Sequence, residues 1–147
     1  MPPLIDAIDP GAGLLAPRGP LPWEGGFAFF RRHEDRRIDF DDLERRCSRL
    51  ADAIAAERIE HGHAGPLALI GFSNGATMGA ALMLSGLVAP RIAILFRPMM
   101  PGPVRVAAEV SADVLVLDAA HDVRRNAGDA IAISSALRQR GALLCHL

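Results

Sequence analysis

Short apolar runs alternate along the chain with longer amphipathic stretches, in the repeated order strand then helix. Gly13 to Ala16, Leu67 to Gly71, Arg91 to Phe96 and Val114 to Asp118 are apolar segments bounded by turn formers such as Pro17, Pro66 and Pro98. Their compactness, and the β-branched content of the later runs, predict strands of a mostly parallel sheet. Ala142 to Leu147 predicts a last strand at the sheet edge. Between these runs, Asp41 to Glu57 repeats Leu43, Cys47, Leu50 and Ile54 at spacings of four, three and four, the apolar stripe of a helix lying on a sheet. Asp41 or Asp42 is placed to cap it. Gly75 to Leu87, rich in alanine, leucine and methionine, and Asn126 to Arg140, closed by Gly141, predict two more crossover helices. The connections 19–40 and 98–113 are longer than the usual α/β loops, the kind of segment that sits over a functional site. The pattern predicts an α/β layered domain spanning 1–147, with helices on both faces of its sheet.

Composition narrows the function classes. Half of the 147 residues are hydrophobic and 22 % are charged, which suits one folded domain and excludes disorder as the main state. The formal charge of -1 provides no field to draw the chain to nucleic acid, and no stretch approaches the length and apolarity of a membrane span. All 16 cationic side chains are arginine, a bias consistent with the codon usage of the source genome. Cys47 and Cys145 lie far apart without metal-ligand spacing, which fits a reducing, cytoplasmic compartment. Neither a metal-binding histidine or carboxylate cluster nor a phosphate-binding loop pattern occurs, so no cofactor is expected.

Gly71-Phe72-Ser73-Asn74-Gly75 is a G-x-S-x-G placed between a predicted strand and a predicted helix, the context of a nucleophile elbow. On such a turn Ser73 is strained, and the flanking glycines remove Cβ atoms that would collide with neighbouring backbone. The helix that follows aims its free N–H groups at the same point, so the Asn74 amide is a candidate oxyanion donor. The bland reading is a tight βα turn in which Ser73 caps the helix. A serine nucleophile needs a base, and the base needs an orienting acid. Asp122 follows the strand 114–118 at the sheet's carboxyl edge, with Asp118 as its nearest competitor and a solvated loop carboxylate as the plain alternative.

Ala16-Pro17-Arg18-Gly19, Gly26 to Arg32, Phe40-Asp41-Asp42-Leu43, Leu69 to Ala76 and Ile94 to Pro101 together resemble the phospholipase/carboxylesterase family of small serine α/β-hydrolases. The resemblance runs from about Pro2 to the end. It implies an α/β-hydrolase-like fold, a small-molecule ester or thioester substrate, Ser73 as nucleophile and Asp122 as triad acid. In the family pattern G-x-x-D-P, however, Ala119 and Val123 replace the glycine and proline. The family's H-G-x-G oxyanion loop and the histidine beyond its last strand find no counterpart here. The expectation is therefore an incomplete hydrolase lacking a central strand, with an unpaired sheet edge that favours a homodimer or aggregation.

Five histidines compete for the role of base. His61 and His63 precede the strand leading to Ser73 and belong to the opposite edge; His33 is in a charged loop and His121 adjoins Asp122. His146, on the last strand, is the remaining candidate, against the plainer reading of an edge-strand residue. Trp23, Phe27, Phe29 and Phe30 are candidates to line a substrate pocket, or else are ordinary core. Arg31, Arg32 and Arg97 are candidates to meet an anionic substrate group, or else are exposed loop arginines. The competing function is a silent fragment acting through self-association or partner binding.

Overall fold

The computed structural model describes residues 10–102, 109–119, 126 and 128–147. Strands β3 (Ala68–Phe72), β4 (Ile92–Phe96), β5 (Asp113–Leu117) and β6 (Leu143–His146) form a parallel sheet in the order β3-β4-β5-β6. Register runs straight across, with Gly71 beside Leu95, Leu95 beside Val116 and Val116 beside His146. Each strand boundary lies within one residue of the sequence expectation. Among the described residues β6 and β3 are the two edge strands, β6 as expected.

The helices are α1 (Phe40–Glu60), α2 (Asn74–Leu84) and α3 (Asp129–Arg138). Asp39, rather than Asp41 or Asp42, caps α1: its side chain accepts the Asp42 amide at 3.0 Å. Asp42 is 1 % exposed and receives the Arg46 guanidinium at 2.7 Å, the Arg31 amide at 2.9 Å and the Arg45 guanidinium. Burial pushes its pKa up, but the Arg46 and Arg31 hydrogen bonds and the Arg46 and Arg45 charges outweigh it and hold it below the ordinary value. Gly141 has φ +100°, which suits a glycine closing α3, and its amide donates to Arg138.

Helix α2 is apolar around nearly its whole circumference because it is covered twice. One side joins Ala93, Leu95, Val114 and Val116 of the sheet and Ile133 and Leu137 of α3. The other meets Leu43, Cys47 and Ala51 of α1, with Phe30 and Ile38 completing that cluster. α1 packs on α2, and α2 and α3 pack on the sheet. The opposite sheet face presents Ile92, Ile94, Leu115 and Leu143 over a shallow depression, with Leu143 74 % and Ile92 45 % exposed.

Two expectations are corrected upstream. Gly13 to Ala16 is irregular and exposed, without a ladder partner among the described residues. The connection 19–40 contains an antiparallel hairpin, β1 (Leu21–Trp23) and β2 (Gly26–Ala28). Its turn residues Glu24 and Gly25 have φ of 45° and 76°, the pair of positive angles a two-residue hairpin turn requires.

Candidate functional site

Ser73 sits between β3 and α2 with φ 53° and ψ −108°, a conformation that disfavours any residue with a Cβ. Strand and helix hold it there from both sides. Its amide donates to the Phe96 carbonyl at 2.8 Å, extending the ladder one residue past β3. Its carbonyl accepts the Thr77 amide and the Thr77 hydroxyl, both at 3.0 Å. Ser73 makes no side-chain cap to α2, contrary to the plain capping alternative. The helix begins at Asn74, so its first-turn N–H groups point toward the elbow, where a developing oxyanion would be favoured.

The two motif glycines differ. A Cβ on Gly71 would lie 2.6 Å from Ala76 Cα, 2.7 Å from Ala76 N and 2.8 Å from the Gly75 carbonyl oxygen. A Cβ on Gly75 would meet only the Phe29 ring, at 3.7 Å, an ordinary contact. Backbone crowding therefore requires the first glycine, and the expectation that both are needed for this reason is corrected.

The Asn74 side chain accepts the Phe29 amide at 2.7 Å, tying the exit of the β1–β2 hairpin to the elbow. Phe29 is half-buried, with its ring near Gly75 and its amide held by Asn74. Trp23 is 45 % exposed on the hairpin, and Phe27 is 55 % exposed with the Arg18 guanidinium over its ring. Phe30 is 1 % exposed within the α1–α2 cluster: it is core, and its assignment to a substrate pocket is corrected.

His146 is registered with Gly71, two residues before Ser73, but three strands away. At ~4.8 Å per strand that is about 14 Å across the sheet, far beyond the 2.6–3.2 Å reach of a base, so the structure does not bring His146 to Ser73. Asp118 directly follows β5, donates its amide to the Leu147 carbonyl and accepts the Ala119 amide on its carboxylate. Asp122 lies outside the described residues. His61 caps the far end of α1, as expected for the opposite edge, and pairs with Glu57 at 3.3 Å.

Two features escaped the sequence reading. Thr77, fully buried, also accepts the Met99 amide on its hydroxyl at 3.0 Å, fastening the loop after β4 to the elbow. A lone hydroxyl in an otherwise apolar helix was the available signal. Arg97, directly after β4, has φ 53° like Ser73, and its guanidinium stacks over Phe72 at 5.5 Å. Nothing in its residue type announces that backbone. Among the described residues no group of three or more histidine, cysteine or acidic side chains is arranged to hold a metal ion, and no helix is long and apolar enough to cross a membrane.

No protein-family model matches the chain. MhqD of Bacillus subtilis (strain 168), provisionally named a hydrolase, is 38 % identical over 96 residues, covering 64 % of this chain and 48 % of MhqD. The chain thus spans about half the length of that curated relative. The carboxylesterase of Bacillus cereus superposes with a TM-score of 0.89 at 25 % identity, over 99 % of this chain and 69 % of its own. The carboxylesterase of Mesorhizobium loti does so with a TM-score of 0.80 at 28 % identity, over 98 % and 69 %. The chain therefore has an α/β-hydrolase-like fold and resembles the phospholipase/carboxylesterase family.

Proposed function

We propose that this chain carries the nucleophile region of a serine carboxylesterase-type hydrolase acting on small carboxylic esters or thioesters. The observation that carries the reading is Ser73: a non-glycine residue at φ 53° on a strand-to-helix turn, braced by Phe96 and Thr77, at the N-terminus of a buried helix. Strain of this kind persists only where the surroundings enforce it, and it lifts the side chain clear of the sheet edge. The similarity to carboxylesterases supports the same chemistry. In this reading Ser73 Oγ attacks the acyl carbonyl and its proton passes to a base at the carboxyl edge of the sheet. The Asn74 amide stabilises the oxyanion; collapse expels the alcohol or thiol, and water releases the acid. Asp122 is the orienting acid by its place after β5, and Trp23 and Phe29 are the apolar residues offered to the substrate. Free Cys47 and Cys145 suit a reducing, cytoplasmic setting.

Intact-mass analysis after treatment with a fluorophosphonate tests this reading, because that reagent needs an activated serine and an oxyanion donor. One adduct per chain, absent in Ser73→Ala, is the expected result. A folded protein that takes up no adduct rejects it. A second reading, self-association without catalysis, is favoured by the apolar sheet face on which Leu143 is 74 % exposed. Light scattering that finds a monomer removes that alternative.

A further inference from the structure

Arg32 is half-buried on the segment that follows the β1–β2 hairpin, where Asn74 holds the neighbouring Phe29 amide. Its guanidinium donates to the thioether sulfur of Met99 at 3.0 Å, a weak and uncharged acceptor. Among the described residues no carboxylate stands within ion-pair distance of it; the ion pairs there join Arg37 to Asp35, Arg45 and Arg46 to Asp42, and His61 to Glu57. Asp42, the buried acid nearest in sequence, is already occupied by two other arginines. Burial pushes the Arg32 guanidinium below its ordinary pKa; the charge of Glu24 partly opposes this, and Arg36 adds to it. A half-buried cation whose hydrogen-bond partner is a neutral sulfur has lost part of its hydration without gaining a charged acceptor, and it gains when an oxyanion reaches it.

Its location supplies the occasion. From Met99 the main chain bonds to the Thr77 hydroxyl, and that hydroxyl bonds to the Ser73 carbonyl. Those links place the guanidinium within roughly 15 Å of the elbow, the span of a small extended ester. Arg97, stacked on Phe72 at the same sheet edge, adds positive charge on that side.

We infer that Arg32 is a specificity-determining residue that receives an anionic group, carboxylate or phosphoryl, at the far end of the ester substrate. This rests on the hydrolase reading above and names its substrate class. The planar guanidinium fork can pair two oxyanion oxygens at once.

The test compares p-nitrophenyl butyrate, which is neutral, with mono-p-nitrophenyl esters of dicarboxylic acids from succinate to sebacate and with p-nitrophenyl 4-phosphonobutyrate. The wild type should favour at least one anionic series, and the better series separates carboxylate from phosphoryl recognition. Arg32→Met should raise KM for the favoured anionic ester about 10- to 100-fold while leaving kcat, and both constants for the neutral ester, within about twofold. Arg32→Lys should recover part of the preference, and it carries the test where Arg32→Met does not fold. Equal losses on neutral and anionic esters would mean a structural role and overturn the inference. Calorimetric binding of adipate monoanilide provides a readout independent of turnover. If no ester is cleaved yet the anilide binds and Arg32→Met abolishes binding, anion recognition stands and the hydrolase reading falls. If no ester is cleaved and the anilide does not bind, the inference falls too.

Discussion

The two glycines of the elbow motif provide a sharp test because identical letters occupy different physical positions. In Gly71→Ala the new methyl lies 2.6–2.8 Å from three backbone atoms of the first turn of α2. Carbon contacts are comfortable at about 3.5–4.0 Å, so roughly 1 Å of overlap must be relieved. Moving β3 disturbs the pairing of Gly71 with Leu95, and moving the start of α2 strains the Ser73 amide bond to Phe96. Overpacking a well-filled site costs about 1–3 kcal/mol, and rigid backbone on the receiving side argues for the upper end, about 3 kcal/mol. In Gly75→Ala the methyl finds the Phe29 ring edge at 3.7 Å, and replacing helical glycine by alanine contributes about 0.5–1 kcal/mol of stability. The variants should therefore differ by about 3–4 kcal/mol, with opposite signs relative to the wild type. Urea unfolding followed by circular dichroism checks this if the m-values agree. In thermal melts Gly71→Ala should fall by roughly 6–12 °C, on the scale of a domain of this size. A Gly71→Ala variant within 1 kcal/mol of wild type, or equal losses at both glycines, would refute the assignment of the crowding to Gly71 alone.

Three further outcomes follow from named contacts. Thr77→Val should destabilise by about 1–3 kcal/mol, since it leaves the buried Met99 amide without its acceptor, and hydrogen exchange should show that amide opening faster while Thr77→Ser restores protection. Asp42→Asn should cost about 2 kcal/mol near neutral pH, the exposed Arg45 contact being discounted for solvent screening. Because the folded-state pKa of Asp42 lies below the ordinary 3.8, this stabilisation is complete above that value and is lost as pH falls through the lower folded one. The wild-type advantage in urea midpoint should accordingly shrink below about pH 4 and be absent when measured only at the acid limit. Burial raises the Cys47 thiol to about 11, against a hydrogen bond from Ser85 that lowers it, so at pH 8 iodoacetamide should alkylate exposed Cys145 quickly and Cys47 only on unfolding.

What could be read from the sequence was whatever local pattern decides. The β3 to β6 runs were legible because strands in a parallel sheet are short and apolar, and turn residues mark their ends. The α1 stripe through Leu43 and Cys47 is legible for a similar reason: burial on one side of a helix imposes its period on the letters. Gly13 to Ala16 misled because an apolar run becomes a strand only when a neighbour completes its ladder, and a single run carries no information about its neighbour. The β1–β2 hairpin was obscured by Pro20 before it, Pro22 within β1 and its three-residue strands, although Glu24-Gly25 held the turn signal. Phe30 illustrates the same limit in the site: an aromatic next to the elbow in space and an aromatic in the core look alike in a string of letters. His146 was placed on the correct strand, yet its separation from Ser73 depends on strand order, which the run of letters leaves open.

The strained residues reveal why the candidate site lies where it does. Ser73 and Arg97 each take φ 53° in the position immediately after a strand, and those strands are paired so that Phe72 and Phe96 are neighbours. At that edge the ladder ends while the chain must reverse toward a helix or a loop, so local backbone preference has its least support from regular pairing. Strain there persists because adjacent bonds resist its release: Ser73 N–H to Phe96, Arg97 N–H to Leu117, and the Thr77 hydroxyl bridging the Ser73 carbonyl and the Met99 amide. The same brace carries Met99, and with it the Arg32 guanidinium, to the elbow side of the sheet. A change in the loop after β4 therefore reaches Ser73 through the Thr77 hydroxyl, and substitutions at Met99 or Thr77 should shift the Ser73 backbone and the placement of Arg32 together. This linkage joins the ends of β3 and β4, the first turn of α2 and the loop carrying Met99 into one hydrogen-bonded unit at the carboxyl edge.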